Sequence, residues 1–313
     1  MRFHRIMREM DMVYRTKSEN RAKALHAVKK SAVHFAKLLK NRQFSDIARI
    51  SKYYLMDQVV RRGLIGGIFL LGRLTPTPKQ LHKCPACGRK FPYFFPVVAG
   101  EHFAFNVQCP YCKSYERHRS QWLYYERETD LMHPTRSISV LHCAPEQLFF
   151  EHFEADGLVD YYPVDKWTGY TVCGKQMRDY VDLTDLPYSD EQFDYILCNH
   201  VLEHIPNERQ ALSEIRRTLK TDGIAFINVP IDGTLPETLE DPAYNTDALR
   251  LKYYGQCDHV RKYGMDFPAR LREAGFAVTC IVVGKYFSRN EINLYGLSPI
   301  EQIYFCRKQE SGN

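Results

Sequence analysis

From Ser137 onward, short apolar segments alternate with amphipathic ones of helical period, and few folds accommodate that alternation. Ser137–Cys143, Tyr161–Val164, Phe193–Cys198, Ile224–Val229, Phe276–Val283 and Ile303–Cys306 read as strands, and Tyr180–Asp182 ends a further short one. Gln147–Ala155, Glu208–Leu219 and Pro268–Ala274 read as helices. Thr221-Asp222-Gly223 reads as the stop of the second helix and Gly275 as the end of the third. The pattern predicts an α/β fold with a doubly wound, mostly parallel sheet. Such sheets bind ligands at the carboxyl ends of their strands, where the strand order reverses.

Ahead of this region stand Cys84-Pro-Ala-Cys87-Gly88 and Cys109-Pro-Tyr-Cys112, with 21 residues between Cys87 and Cys109. Four thiolates at this spacing can close a tetrahedral Zn²⁺ site, each pair gripping from a tight turn. Gly88 supplies the backbone freedom that such a turn needs, and Lys113 takes its place in the second pair. A closed four-thiolate site has no open position, so its part is to fold a small module. The remaining six of the ten cysteines are scattered, several within apolar runs, and read as small hydrophobes. Ser114-Tyr-Glu-Arg-His-Arg119 follows the second pair. It reads either as a grip for a polar or anionic substrate or as the charged start of a helix.

Hydrophobic residues make up 44% and charged residues 26%, which excludes a collagenous or wholly disordered chain. The net charge of +6 is unevenly spread: residues 1–80 carry 18 Lys and Arg against 5 Asp and Glu, and the rest is acidic. Within this arm Ala22–Leu39 and Phe44–Leu55 read as helices, and Leu74-Thr-Pro-Thr-Pro78 as a linker. The arm suits contact with a polyanion or a membrane surface, or is a solvated helical extension. The apolar run Gly63–Gly72 would span about 15 Å as a helix, too short to cross a bilayer. Met1–Met10 has no apolar signal core. The expected location is therefore the reducing cytoplasm, peripheral to the inner face of the membrane if the arm binds lipid. The expected organisation is a basic helical arm and linker (1–78), a four-cysteine zinc ribbon with its following helix (79–128), and a catalytic domain (129–313).

The first strand runs into Val140-Leu-His-Cys-Ala-Pro-Glu146, with Ala144-Pro145 where a nucleotide-binding turn usually carries glycines. Asp165 ends the second strand, where a carboxylate can accept from both ribose hydroxyls. Then comes Asp182-Leu-Thr-Asp-Leu-Pro187, leading through Phe193-Asp194-Tyr195-Ile196 to Leu202-Glu203-His204-Ile205. This run resembles the class I S-adenosylmethionine (AdoMet)-dependent methyltransferases, as does Leu219–Pro230, and the resemblance spans about residues 138–306. Cys109–Arg119, Val140–Glu146 and Asp258–Phe276 are similar to a subgroup with a zinc ribbon fused ahead of the methyltransferase domain, many of whose members are linked with polysaccharide assembly.

The resemblance implies a Rossmann-like seven-stranded sheet and a site residue by residue. His142, Ala144 and Glu146 would lie against the methionine portion of AdoMet, and Asp165 would hold the ribose. Asp182 and the Leu183 backbone would read the adenine, and Asn199 and His200 would face the methyl group or acceptor. Methylating a hydroxyl removes a proton, for which the candidates are His259, the first choice, with His200 and His204; His204, in a helix turn, reads rather as bracing the fold. Asp258 or Asp266 would orient His259, and Arg261 would anchor an acidic acceptor. The leading expectation is methylation of a hydroxyl on a small-molecule or glycan acceptor. An RNA methyltransferase is the rival that the ribbon and arm allow, though the acidic body disfavours nucleic acid. A non-catalytic zinc-ribbon interaction protein is the rival that the Ala144-Pro145 turn allows.

Overall fold

The computed structural model describes residues 81–99, 102–166, 171–172, 175–176 and 179–309. The expected basic arm, its helices and the Leu74–Pro78 linker lie outside the described residues. Among the described residues no helix is long and apolar enough to cross a membrane.

The cysteine module is built from two hairpins. β1 (His82–Lys83) pairs antiparallel with β2 (Lys90–Phe91), and β3 (Phe95–Ala99) with β4 (His102–Gln108). Helix α1 (Glu116–Glu128) follows directly. Among the described residues the body is one sheet of seven strands, in which β5 (Ile138–Cys143) is an interior strand. β6 (Val159–Asp165) and the short β9 (Asp179–Tyr180) extend it on one side, all parallel. A two-stranded hairpin, β7 (Thr171–Val172) with β8 (Lys175–Gln176), lies between them in sequence. β10 (Phe193–Asn199) and β11 (Leu219–Asn228) extend the sheet on the other side, again parallel. β12 (Phe276–Val282) and β13 (Gln302–Lys308) complete it, with β13 antiparallel to both β11 and β12. The chain leaves β5 for one edge and then returns to β10, so the order reverses between β5 and β10.

Strand alternation divides the core between the two faces of this sheet. Ile196, Cys198, Ala225 and Ile227 pack with Leu212 and Ile215 of α3 (Glu208–Thr218) and with Phe267 and Leu271 of α5 (Phe267–Glu273); α4 (Asp247–Tyr254) lies in the insert between these helices. Val140, Leu197 and Phe226 pack on the other face with Trp122 and Tyr125 of α1 and with Phe149 and Phe153 of α2 (Gln147–Ala155). This is the period-2 pattern of strands buried on both sides. Two short helices, α6 (Val283–Tyr286) and α7 (Arg289–Tyr295), join β12 to β13.

One expectation is corrected. Thr221-Asp222-Gly223 is not a helix stop: α3 ends at Thr218, and β11 begins at Leu219. The register jumps from Phe193↔Leu219 to Tyr195↔Ile224, so Thr221–Gly223 lie in an irregularity within the strand. There a Cβ at Gly223 would come within 2.8 Å of Leu219 Cδ1 and 3.0 Å of the Phe193 carbonyl oxygen, so the site has little room for a side chain. Helix α1 shares a core cluster with the sheet, so its packing continues into the body.

Candidate functional site

The two cysteine turns repeat one geometry. In the first, the Gly88 amide donates to the Cys84 carbonyl at 2.9 Å, and Gly88 has φ of 68°. In the second, the Lys113 amide donates to the Cys109 carbonyl at 3.1 Å with φ of 62°. Lys113 therefore adopts the left-handed conformation that glycine takes in its twin, and its ammonium donates to the Pro110 carbonyl. The turns converge Cys84, Cys87, Cys109 and Cys112 so that their sulfurs all lie within 4.8 Å of one another. The Cys84–Cys112 and Cys87–Cys109 separations are 3.5 and 3.8 Å. A tetrahedron of Zn–S bonds of about 2.3 Å places its sulfurs about 3.8 Å apart, so the residues fit zinc.

The segment behind the second turn divides its tasks. Arg119 is wholly buried and donates to the carbonyls of Tyr295, Val107, Ser114 and Gly296 at 2.6–2.9 Å, which ties the cysteine module to the body. His118 is buried edge-on to Tyr115 and to Phe149 of α2; burial, followed by the charge of Arg117, pushes its pKa down to about 3, so its ring is neutral.

The carboxyl ends of the parallel strands bring the other expected residues into a row. Ladder bonds fix it: the Ala144 amide donates to the Val164 carbonyl, Val181 to Asp165, and His200 to Asn228. Ala144, at the end of β5, has φ of 48°, so this side chain holds the left-handed turn that glycine usually supplies. His142 is fully buried beneath it, between the Tyr161 hydroxyl and Glu146, each at 2.8 Å. That corrects its expected place: His142 braces Glu146 instead of meeting the methionine portion itself. Burial would raise the Glu146 carboxyl, but the hydrogen bond from His142 together with the smaller charge and backbone contributions around it outweighs burial and holds the group at about 2, ionised.

Asp165 closes β6 one strand away, paired in register with Tyr180. Asp182 accepts from the Thr184 amide and hydroxyl at 2.9 and 2.8 Å and from Lys166 at 2.8 Å. Its carboxylate therefore shapes the turn that presents Leu183. Asn199 accepts from Asn228 at 2.7 Å and faces Gln121 of α1 at 3.5 Å. His200 has φ of 56°, a second non-glycine residue in left-handed conformation at a strand end.

Several buried polar atoms here have no partner: His118 Nε2, Gln121 Oε1, Tyr125 Oη, Asn199 Nδ2, His200 Nε2 and Glu203 Oε2. Buried polar groups are ordinarily satisfied, so such a concentration at the ligand end of the sheet marks a place for a polar ligand. The row fits AdoMet in donor set: carboxylates toward the β6 side, and amide and imidazole atoms at the β5–β10 reversal. The sequence reading missed His118, Gln121 and Glu203 as individual residues. Ser114–Arg119 and the Leu202-Glu203-His204 run were visible signals for two of them, and Gln121 had none.

His259 and Arg261 differ from expectation. His259 is 5% exposed and sits edge-on to His204, at 4.7 Å between ring centres. Asp258 pairs with His204 at 3.2 Å and Asp266 accepts from Thr238, so neither is the expected orienter of His259. Arg261 is 1% exposed and donates to the carbonyls of Leu202, Ile205 and Pro206 and to Glu240. With the N–H groups of both terminal nitrogens so engaged it is a staple within the protein, not an anchor for an acidic acceptor. A separate surface cavity of about 410 Å³, lined by Arg136, Asp194 and Lys220, opens at the amino ends of the strands. Its charges pair with one another, and it is remote from this row.

Residues 148–227 match the family model of the methyltransferase domain. A 55-residue stretch is 45% identical to the uncharacterized protein MJ0638 of Methanocaldococcus jannaschii, covering 18% of this chain and 24% of that one. A 77-residue stretch is 32% identical to the uncharacterized methyltransferase YcgJ of Bacillus subtilis, covering 25% of this chain and 28% of that one. The crystal structure of YcgJ aligns with 62% of this chain and 100% of its own at 16% identity, with a TM-score of 0.40. The chain thus spans about a quarter of the length of the curated relatives it matches. The matched residues 148–227 run from α2 through β11, so the methyltransferase-domain match falls on the sheet body.

Proposed function

We propose that this protein is an AdoMet-dependent methyltransferase acting on a hydroxyl of a small-molecule or glycan acceptor, with a structural zinc in its four-thiolate module. The observation that carries the reading is the set of unpartnered buried polar atoms at the β5–β10 reversal of a methyltransferase domain. AdoMet supplies a methyl group on a sulfonium, already a reactive electrophile, so the protein's work is chiefly positioning. Asp165 would hold the ribose hydroxyls, and the Leu183 backbone would meet the adenine. The Ala144–Glu146 turn would receive the methionine end, with Glu146 kept ionised by His142 to take its ammonium. Asn199, oriented by Asn228, and His200 would hydrogen-bond the acceptor. The basic arm would bring a polyanion or a membrane surface near the domain.

The test is transfer of isotope-labelled methyl from AdoMet into a cell extract separated into small-molecule, glycan and RNA fractions. Label in the first two supports the reading. Label confined to RNA favours an RNA acceptor, and absence of transfer together with absence of cofactor binding leaves a non-catalytic scaffold.

A further inference from the structure

A second group of metal-binding side chains lies just beyond the carboxyl end of β10. Glu203, His204 and His259 each offer one ligand atom, and these atoms lie within 4.8 Å of one another. Metal–ligand bonds of about 2.0–2.2 Å require separations of about 3–4 Å, which small side-chain rotations supply. Glu203 is 2% exposed, and its Oε2 has no partner. Its other oxygen faces His200 Nδ1 at 3.6 Å, and no Lys or Arg pairs with it among the described residues. A buried carboxylate with a bare oxygen costs several kcal/mol unless a cation compensates it.

The rest of the architecture holds the ligands in place. Asp258 engages His204 Nδ1 at 3.2 Å, which leaves Nε2 for a metal in the usual carboxylate–histidine arrangement. The Val260 amide donates to the Glu203 carbonyl at 2.8 Å, and Arg261 grips the carbonyls of Leu202 and Ile205. The two ligand-bearing segments, 55 residues apart in sequence, are thereby locked together. One carboxylate and two imidazoles leave coordination positions open, unlike the four-thiolate module.

We propose that Glu203, His204 and His259 bind a divalent first-row cation whose open positions take the acceptor oxygen. The second half of this rests on the hydroxyl reading above. In the transfer the acceptor O–H bond breaks, an O–CH₃ bond forms as the S⁺–CH₃ bond breaks, and the proton leaves to solvent. Positive charge is thereby conserved, and no oxidant is needed.

The experiment uses the full chain, loaded with one equivalent of zinc, titrated with Mn²⁺ and followed by calorimetry and by the electron paramagnetic resonance of free Mn²⁺. Manganese disfavours the thiolate module and so reports the oxygen–nitrogen site. The expected result is about one Mn²⁺ per chain beyond the zinc, weakened tenfold or more in Glu203→Gln and in His259→Ala. Glu203→Gln is isosteric and preserves the fold, and S-adenosylhomocysteine affinity should stay within about threefold in His259→Ala, which lies outside the cofactor row. No Mn²⁺ binding beyond the zinc, or equal binding in Glu203→Gln, overturns the site. Mn²⁺ binding without any S-adenosylhomocysteine binding would leave the metal site standing and refute the methyltransfer reading instead.

Discussion

Replacing Arg119 by Met should uncouple the cysteine module from the sheet body. Three of the carbonyls that Arg119 holds at 2.9 Å or less, or at 3.4 Å, belong to the module and its following turn: Val107, Ser114 and Asn106. Two more, Tyr295 and Gly296, belong to the end of α7, at 2.7 and 2.6 Å. The guanidinium also lies 4.1 Å from the centre of the Phe94 ring. Four short charge-assisted bonds contribute about 1.5 kcal/mol each, roughly 6 kcal/mol together. Removing the need to bury the charge offsets part of that loss, while the carbonyls left behind lose their partners. The expected net destabilisation is about 3–4 kcal/mol. Arg119→Lys should recover little, because three donors on one nitrogen cannot reach carbonyls on both sides. Urea unfolding followed by tryptophan fluorescence measures the loss, and transfer of zinc to a coloured chelator reports the module separately. A loss under about 1 kcal/mol with zinc retained as in the wild type would refute the idea that this side chain joins the two parts.

Three further outcomes are expected. Burial would raise the Asp194 carboxyl, but hydrogen bonds from Lys220, Ser139 and Arg136 outweigh it and hold the group at about 2. A carboxyl depressed by folding stabilises above its unfolded pKa of about 4, and that stability is lost as pH falls toward 2. Asp194→Asn should therefore lack roughly 2 kcal/mol of acid-sensitive stability, and identical pH profiles for variant and wild type would contradict this. Elemental analysis should find about one zinc per chain, lost in Cys109→Ser; protein purified without chelator and free of metal would count against the thiolate site. Ala144→Gly should leave stability within about 0.5 kcal/mol, whereas Ala144→Val should lower it by about 1–2 kcal/mol, because a β-branched residue resists positive φ. Equal tolerance of both in thermal unfolding would mean that the turn carries no strain.

Local pattern made the sheet legible. Apolar runs such as Phe193–Cys198, bounded by turn residues, gave strands to within a residue or two, because strands buried on both faces need little else. Thr221-Asp222-Gly223 misled because its composition suits a turn, and only the register against β10 shows that it is an irregularity in a strand. The four cysteines were legible because their spacing directly encodes the geometry. Arg119 and Arg261 were not: a buried arginine that satisfies distant carbonyls looks in sequence like a surface one, and Tyr295 lies 176 residues from Arg119. For the same reason His118 and Gln121 could not be placed beside Asn199, since no local pattern relates α1 to the end of β10.

The central claim is that the carboxyl ends of β5, β6 and β10 hold AdoMet. Calorimetric titration with S-adenosylhomocysteine tests it most directly, in the wild type and in Asp165→Ala with zinc content and fold verified. The account predicts one site per chain in the wild type, weakened in Asp165→Ala by about 1–3 kcal/mol, or roughly 5- to 150-fold. Absence of binding in the wild type, or equal affinity in the variant, would contradict it.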